Sequence, residues 1–218
     1  TYRKGQAVIR MLESYVGEPV FRQGIRSYMK RYAYKNTRTD DLWVEMTAAG
    51  AKDVKTIADD FTLQPGVPLI DVEIAADTGD AVTLSLRQGR FGLDQASQQP
   101  LVWHVPVIAG SVPDGKRLAS IVTSGLGPLQ LDVAGVQPVK INLGQGAYYR
   151  SKYSAASFGQ LAKVFDELTP GDQLGMLYDI WALGEAGGMP ISAYLDLSRQ
   201  ITAKAHTVLW SQVIETFL

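Results

Sequence analysis

The spacing of hydrophobic positions divides the chain into three stretches: helical, then alternating, then helical again. Between Tyr2 and about Leu63 the period is that of a helix. Val8, Met11, Leu12 and Tyr15 fall at i, i+3, i+4 and i+7, a single apolar stripe, and Gly17 stands where such a helix ends. Pro19 suits the first turn of a second helix, whose buried face is expected to be Phe21, Ile25, Tyr28, Met29 and Tyr32. Thr39 is the expected cap of a third helix, with Asp40 and Asp41 well placed in its first turn. Asp53 is the expected cap of a fourth, Val54 to Phe61.

Pro65-Gly66-Val67-Pro68 breaks the helical period, and alternation takes over. Ile70, Val72 and Ile74 alternate with polar residues, as do Val82, Leu84 and Leu86. Further strand candidates are Leu101–Ile108, Arg117–Val122, Leu129–Val133 and Val139–Leu143. They are separated by the turn signals Asp77-Thr78-Gly79-Asp80, Pro113-Asp114-Gly115 and Gly125-Leu126-Gly127-Pro128. Six or so short strands at this spacing predict a small antiparallel sandwich of about 80 residues.

After Tyr148-Tyr149-Arg150 the helical period returns. Ser154 is the expected cap of one helix. Thr169-Pro170-Gly171-Asp172 opens the next, with a cap, a first-turn proline and an early acid, and Gly187-Gly188 stops it. Ile191 to Ala203 and Val208 to Leu218 read as two more. Short consecutive helices with tight connections predict the start of an α-hairpin array. Val208, Leu209, Val213 and Phe217 on the last helix have no evident partner, as in an array cut partway.

Composition narrows the chemistry. The 218 residues are 46% hydrophobic and 20% charged, with a formal net charge of −1, which removes any general case for nucleic acid or anionic membrane as partner. No apolar run approaches the ~20 residues of a membrane span. No signal peptide is expected, because the chain begins inside a helical pattern. Cysteine is absent, which excludes thiolate nucleophiles and cysteine metal sites. His104 and His206 lie far apart, unlike the one-turn spacing of H-E-x-x-H, and no Ser/His/Asp or Cys/His set can be drawn from them. His104 is expected to pack or hydrogen-bond beside Trp103, and His206 to be exposed. Asp40/Asp41 and Asp59/Asp60 are sequence neighbours and diverge around a helix, so neither pair forms a dyad. The Tyr28–Lys35 run, with aromatics between basic residues, reads as a solvated helix edge rather than a base-stacking platform. Lys4 reads as a surface lysine.

Tyr2-Arg3-Lys4-Gly5 is followed by Tyr34-Lys35-Asn36-Thr37, by Asp40-Asp41-Leu42-Trp43 and by Thr62-Leu63-Gln64-Pro65-Gly66-Val67-Pro68-Leu69-Ile70. Farther on stand Gly144-Gln145-Gly146-Ala147-Tyr148-Tyr149-Arg150-Ser151-Lys152-Tyr153 and Asp172-Gln173-Leu174-Gly175-Met176-Leu177-Tyr178-Asp179-Ile180-Trp181-Ala182-Leu183. In this order the segments resemble the zinc aminopeptidases of the aminopeptidase N type, in the part downstream of their zinc site. The departures are Gln173 where arginine is common, Ser151 where valine is usual and Phe61 in place of a frequent tryptophan.

The resemblance implies a multidomain α + β chain. Residues 1–66 would be the C-terminal helical part of a thermolysin-like catalytic domain, 67–150 a small antiparallel β-sandwich domain, and 151–218 the N-terminal part of an α-helical solenoid domain. It also implies Tyr2 as the catalytic residue, donating a hydrogen bond to the tetrahedral intermediate as one member of an oxyanion hole. Zn2+ would belong to the parent enzyme, its ligands upstream of this chain, and the parent would take peptides as substrates. The segment by itself is expected to be inactive. Its first two helices are expected to pack against the other half of the catalytic domain, leaving apolar stripes that favour self-association. Localisation is expected to be soluble, in the cytoplasm or periplasm of a bacterium. The competing reading is a noncatalytic interaction module built of sandwich and helical array.

Overall fold

A computed structural model describes residues 2–112, 115–135 and 138–218. Four helices come first: α1 (Tyr2–Val16), α2 (Glu18–Tyr32), α3 (Thr39–Ala48) and α4 (Val54–Leu63). Seven strands follow: β1 (Val67–Asp77), β2 (Ala81–Phe91), β3 (Pro106–Ser111), β4 (Arg117–Val122), β5 (Leu129–Ala134), β6 (Val139–Ile141) and β7 (Arg150–Tyr153). Four more helices close the described chain: α5 (Ala155–Lys163), α6 (Pro170–Glu185), α7 (Ser192–Ser198) and α8 (Thr207–Thr216). The expected turn residues Pro113 and Asp114 lie outside the described residues.

The stripe Val8, Met11 and Leu12 is buried, covered within the chain by Ile57, Ala58 and Phe61 of α4 in the same core. The expected exposed stripe on α1 is therefore absent, because α4 supplies a partner that periodicity alone does not name. α2 differs. Its one buried residue is Gly24; Phe21, Ile25, Tyr28 and Tyr32 are half-buried, and Met29 is 62% exposed. Gly24 lets α2 approach α3 closely, since a β-carbon there would stand 3.1 Å from the Met46 Cα. The caps of α3 and α4 also differ from expectation. The Asp41 carboxylate reaches back to the Arg38 N–H at 2.8 Å, leaving Thr39 inside the helix. Asp53 takes a left-handed φ of 54° and makes no side-chain cap. Ser154 and Thr169 cap α5 and α6 as expected, accepting from Ser157 N–H at 3.3 Å and Asp172 N–H at 3.2 Å.

The strands form a four-stranded sheet in the order β5-β2-β1-β7 and a three-stranded sheet in the order β4-β3-β6. Alternate residues Ile70, Val72, Val82, Leu84, Leu86 and Val133 share one core with Val107, Ala109 and Ile141 of the smaller sheet. Not all pairing is antiparallel. β7 runs parallel to β1, Leu69 facing Arg150 and Val72 facing Tyr153. A four-residue strand spans too few periods to register as alternation.

The expected strand Leu101–Ile108 begins only at Pro106. Its first half lies extended but forms no ladder, because distant side chains take up its backbone groups. Gln88 accepts from Trp103 N–H at 2.6 Å and donates to Trp103 O at 2.9 Å. Thr123 Oγ1 accepts from Val105 N–H at 3.0 Å. Asp60 accepts from His104 N–H at 2.7 Å, and Gln64 donates to Val102 O at 3.0 Å.

In the last helices, α7 ends at Ser198 rather than Ala203, and α6 packs on both α7 and α8. Leu209 is fully buried, and Phe217 meets Trp181 and Tyr194 edge to face at 5.9 and 6.0 Å.

Candidate functional site

Tyr2 occupies the first turn of α1, and 95% of it is exposed. No acid stands in that turn, and the next residue is Arg3. Two positions on, the Lys4 ammonium leaves solvent and donates to the main-chain carbonyl of Gln64 at 3.2 Å. Lys4 is therefore tied to the far end of the helical region rather than free at the surface.

Behind that contact lies a short relay. Gln64 follows α4, its own N–H bonded to Asp60 O at 3.3 Å, and its side-chain amide donates to the Asp60 carboxylate at 3.3 Å. The other oxygen of Asp60 receives the His104 N–H and faces His104 Nδ1, each at 2.7 Å. His104 thus makes the hydrogen bond expected of it, with a partner that sequence reasoning missed. The signal was one-sided: Asp60 is set apart only by standing next to Asp59, whose own partner is Lys55 at 2.8 Å. Asp40 also bonds Lys55 at 2.8 Å, so neither acidic pair forms a dyad. His206 is exposed and caps α8, accepting from Val208 N–H at 3.3 Å.

A second polar cluster, unforeseen in the sequence, lies where β6 and β7 meet α6. The Lys140 ammonium is fully enclosed and reaches Asp172 at 2.9 Å, both side chains 2% exposed. Ile141 O and Asn142 O accept its other protons at 3.1 and 3.3 Å. Asp172 further accepts from Gly144 N–H and the Thr169 hydroxyl, each at 2.9 Å. Two turns along α6, Asp179 accepts from Arg150 at 3.1 Å and from Ser151 N–H at 3.0 Å. Burial pushes the Asp179 carboxyl up, against the opposing pull of Arg150, the Ser151 N–H and Lys140. Burial likewise raises the Tyr149 and Tyr153 phenols well above their ordinary value, so both are neutral. The cavity between Lys140, Ser151, Tyr153 and Asp179 measures about 10 Å³, room for a single water and no substrate. This cluster is built to join two parts of the chain.

A larger cleft of about 330 Å³ lies on the outer face of the four-stranded sheet, but its Lys152 and Asp71 pair with each other at 3.5 Å. Among the described residues no three His, Cys, Asp or Glu side chains converge on a common point that could hold a metal ion. No described helix is long and apolar enough to cross a membrane. Among the described residues the side chain of Tyr2 faces solvent.

Residues 1–61 match the peptidase family M1 domain, and residues 138–217 match the ERAP1-like C-terminal domain. The puromycin-sensitive aminopeptidase of Caenorhabditis elegans is 30% identical over 226 residues, covering 99% of this chain and 23% of that protein. Aminopeptidase M1 of Arabidopsis thaliana is 32% identical, over 90% of this chain and 24% of its own length. A probable aminopeptidase of Sulfurisphaera tokodaii is 28% identical, over 98% of this chain and 25% of its own length. The chain thus spans about a quarter of the length of these curated relatives. A family match at each end and collinear relatives between support reading the chain as a segment of an M1 aminopeptidase of the aminopeptidase N type.

Proposed function

We propose that the chain is the part of a zinc-dependent aminopeptidase that follows the metal site in sequence, and that the parent removes N-terminal residues from peptides. The observation that carries this reading is collinearity: named aminopeptidases align across 98–99% of the chain without a change of order. The M1 family is generally zinc-dependent, yet the described residues do not fit a zinc centre, since no ligand set converges among them. The role proposed for this chain is therefore carried by its own groups. Residues 1–66 form the helical end of the catalytic domain, 67–150 the β-sandwich domain, and 151–218 the first part of a helical domain. The half-covered face of α2 is the surface that meets the rest of the catalytic domain.

Tyr2 is the proposed catalytic residue. A phenol is an uncharged donor at neutral pH, and its O–H can serve the oxygen on which charge develops as the peptide carbonyl becomes tetrahedral. Such a donor accelerates the reaction only if it stands where the oxyanion forms and needs no reorganisation to reach it. The 95% exposure of Tyr2 leaves its O–H open to a partner from outside the described residues.

Tyr2→Phe in the full-length protein is expected to lower kcat by ~10²–10³, the cost of one oxyanion donor. A variant that keeps more than about a third of wild-type kcat takes Tyr2 out of the mechanism. The purified 218-residue chain is expected to hold no stoichiometric zinc and to leave an aminoacyl-anilide uncleaved. Turnover by that chain would sink the reading of it as an inactive segment.

A further inference from the structure

We propose that Lys4 is a positioning residue for Tyr2: its ammonium clamps the first turn of α1 to the C-terminal end of α4 and so fixes where the Tyr2 hydroxyl stands. The inference rests on the assignment of Tyr2 made above.

Among the described residues the first turn of α1 buries no side chain. Among residues 2–6 only Lys4 is not exposed, and the first buried residue of the helix is Val8. Val8 lies about 9 Å further along the axis at 1.5 Å per residue.

Lys4 reaches across to the far end of the helical region. Its Nζ meets the Gln64 carbonyl at 3.2 Å, at the end of α4, where unsatisfied carbonyls make the helix terminus negative. The acceptor is itself held on three sides. Gln64 is bonded through its N–H to Asp60 O, through its amide to the Asp60 carboxylate, and to Val102 O at 3.0 Å. Asp60 in turn is fixed by His104 at 2.7 Å. The clamp therefore ends on the 101–105 segment, which Gln88 and Thr123 tie to the sheets. Lys4 touches a backbone carbonyl and not the reacting atoms, so its effect on turnover runs through the place it gives Tyr2. A displacement of about 1 Å in a catalytic group can cost ~10²-fold in rate.

The test is a double-mutant cycle in the full-length protein. Lys4→Met is expected to lower kcat by about tenfold or more while KM moves by less than about threefold. Lys4→Arg, which keeps a cationic donor of similar reach, is expected to recover most of that loss. In the Tyr2→Phe background Lys4→Met is expected to cost almost nothing more, because the group it positions is gone. Wild-type kcat in Lys4→Met overturns the inference. So does a loss that adds in full to that of Tyr2→Phe, or one that tracks the melting temperature and is not recovered by arginine. Full activity in Tyr2→Phe alone overturns the assignment of Tyr2 itself, and the two failures are told apart by that single variant.

Discussion

The opening helices and the junction of β6, β7 and α6 hold their positions by different means. At the junction charges are enclosed: Lys140 and Asp172 are each 2% exposed, and Lys140 Nζ and both Asp172 oxygens are hydrogen-bonded. In the opening helices the ion pairs reach the surface, as in the Arg22–Glu18 pair and the exposed Lys55 contacts to Asp40 and Asp59, and the buried Glu45 pairs with an Arg31 that is itself exposed. There the holding is done by apolar burial of α1, α3 and α4, and α2 is left with a single buried residue, Gly24. An enclosed ion pair tolerates only one arrangement of its neighbours, since any slip leaves a charge without a partner. Surface pairs permit movement at little cost. The junction is thus organised as a fixed joint, whereas α2 retains a face able to accept a further surface.

Three measurements on the chain itself break or sharpen that contrast. The largest effect is expected from Lys140→Met. It leaves Asp172 buried with only the Gly144 N–H and the Thr169 hydroxyl, and loss of one partner of a buried pair costs about 3–5 kcal/mol. Denaturant unfolding of the variant reads this directly. A loss below about 1 kcal/mol would mean that apolar packing, not the pair, holds the joint.

Next comes a matched pair of methionines, one on each side of the α2–α3 contact. Met46 is fully buried against Gly24, and Met29 is 62% exposed. Met46→Ala is expected to cost ~2–5 kcal/mol. Met29→Ala is expected to stay within about 0.5 kcal/mol. Comparable losses at the two sites in the same unfolding assay would show that α2 is already covered in solution, for instance by a second copy of the chain.

The smallest effect concerns pH. Burial raises the Asp179 carboxyl above the ordinary carboxylate value of 3.8. The folded chain therefore keeps that proton where the unfolded chain has lost it. The stability Asp179 contributes is fully present below the unfolded value and declines as pH rises through the raised folded one. Asp179→Asn removes this dependence, so the melting temperature of wild type should fall relative to the variant as pH rises above the ordinary carboxylate value. The opposite trend would mean that the attraction of Arg150 outweighs burial at this site.

Much of the local architecture was readable from residue pattern. α1 follows from Val8, Met11, Leu12 and Tyr15 with its stop at Gly17, and α6 from Thr169-Pro170 at one end and Gly187 at the other. Alternation placed β1 and β2, whose buried residues are those on the apolar parity. Each of these signals is local: a cap, a turn residue or a period is complete within a few positions. The family resemblance singled out Tyr2 by motif, with no help from any neighbour in this chain.

The contacts that organise the candidate site were not readable in this way. Nothing near Lys4 in sequence points to Gln64, and nothing near His104 points to Asp60. Lys140 alternates like a strand residue yet ends inside the core, because Asp172 arrives from α6 to meet it. The Leu101–Val105 stretch has a strand's composition and is denied a ladder by the side chains of Gln88, Thr123, Asp60 and Gln64. In sum of causes, the sequence by itself determined which segments coil and which extend, since those preferences are settled by neighbouring residues and by one apolar face per element. Only the tertiary structure decided which charges are enclosed, which backbone groups find side-chain partners and how the first turn of α1 is held, because each depends on two segments far apart in the chain meeting within hydrogen-bond distance.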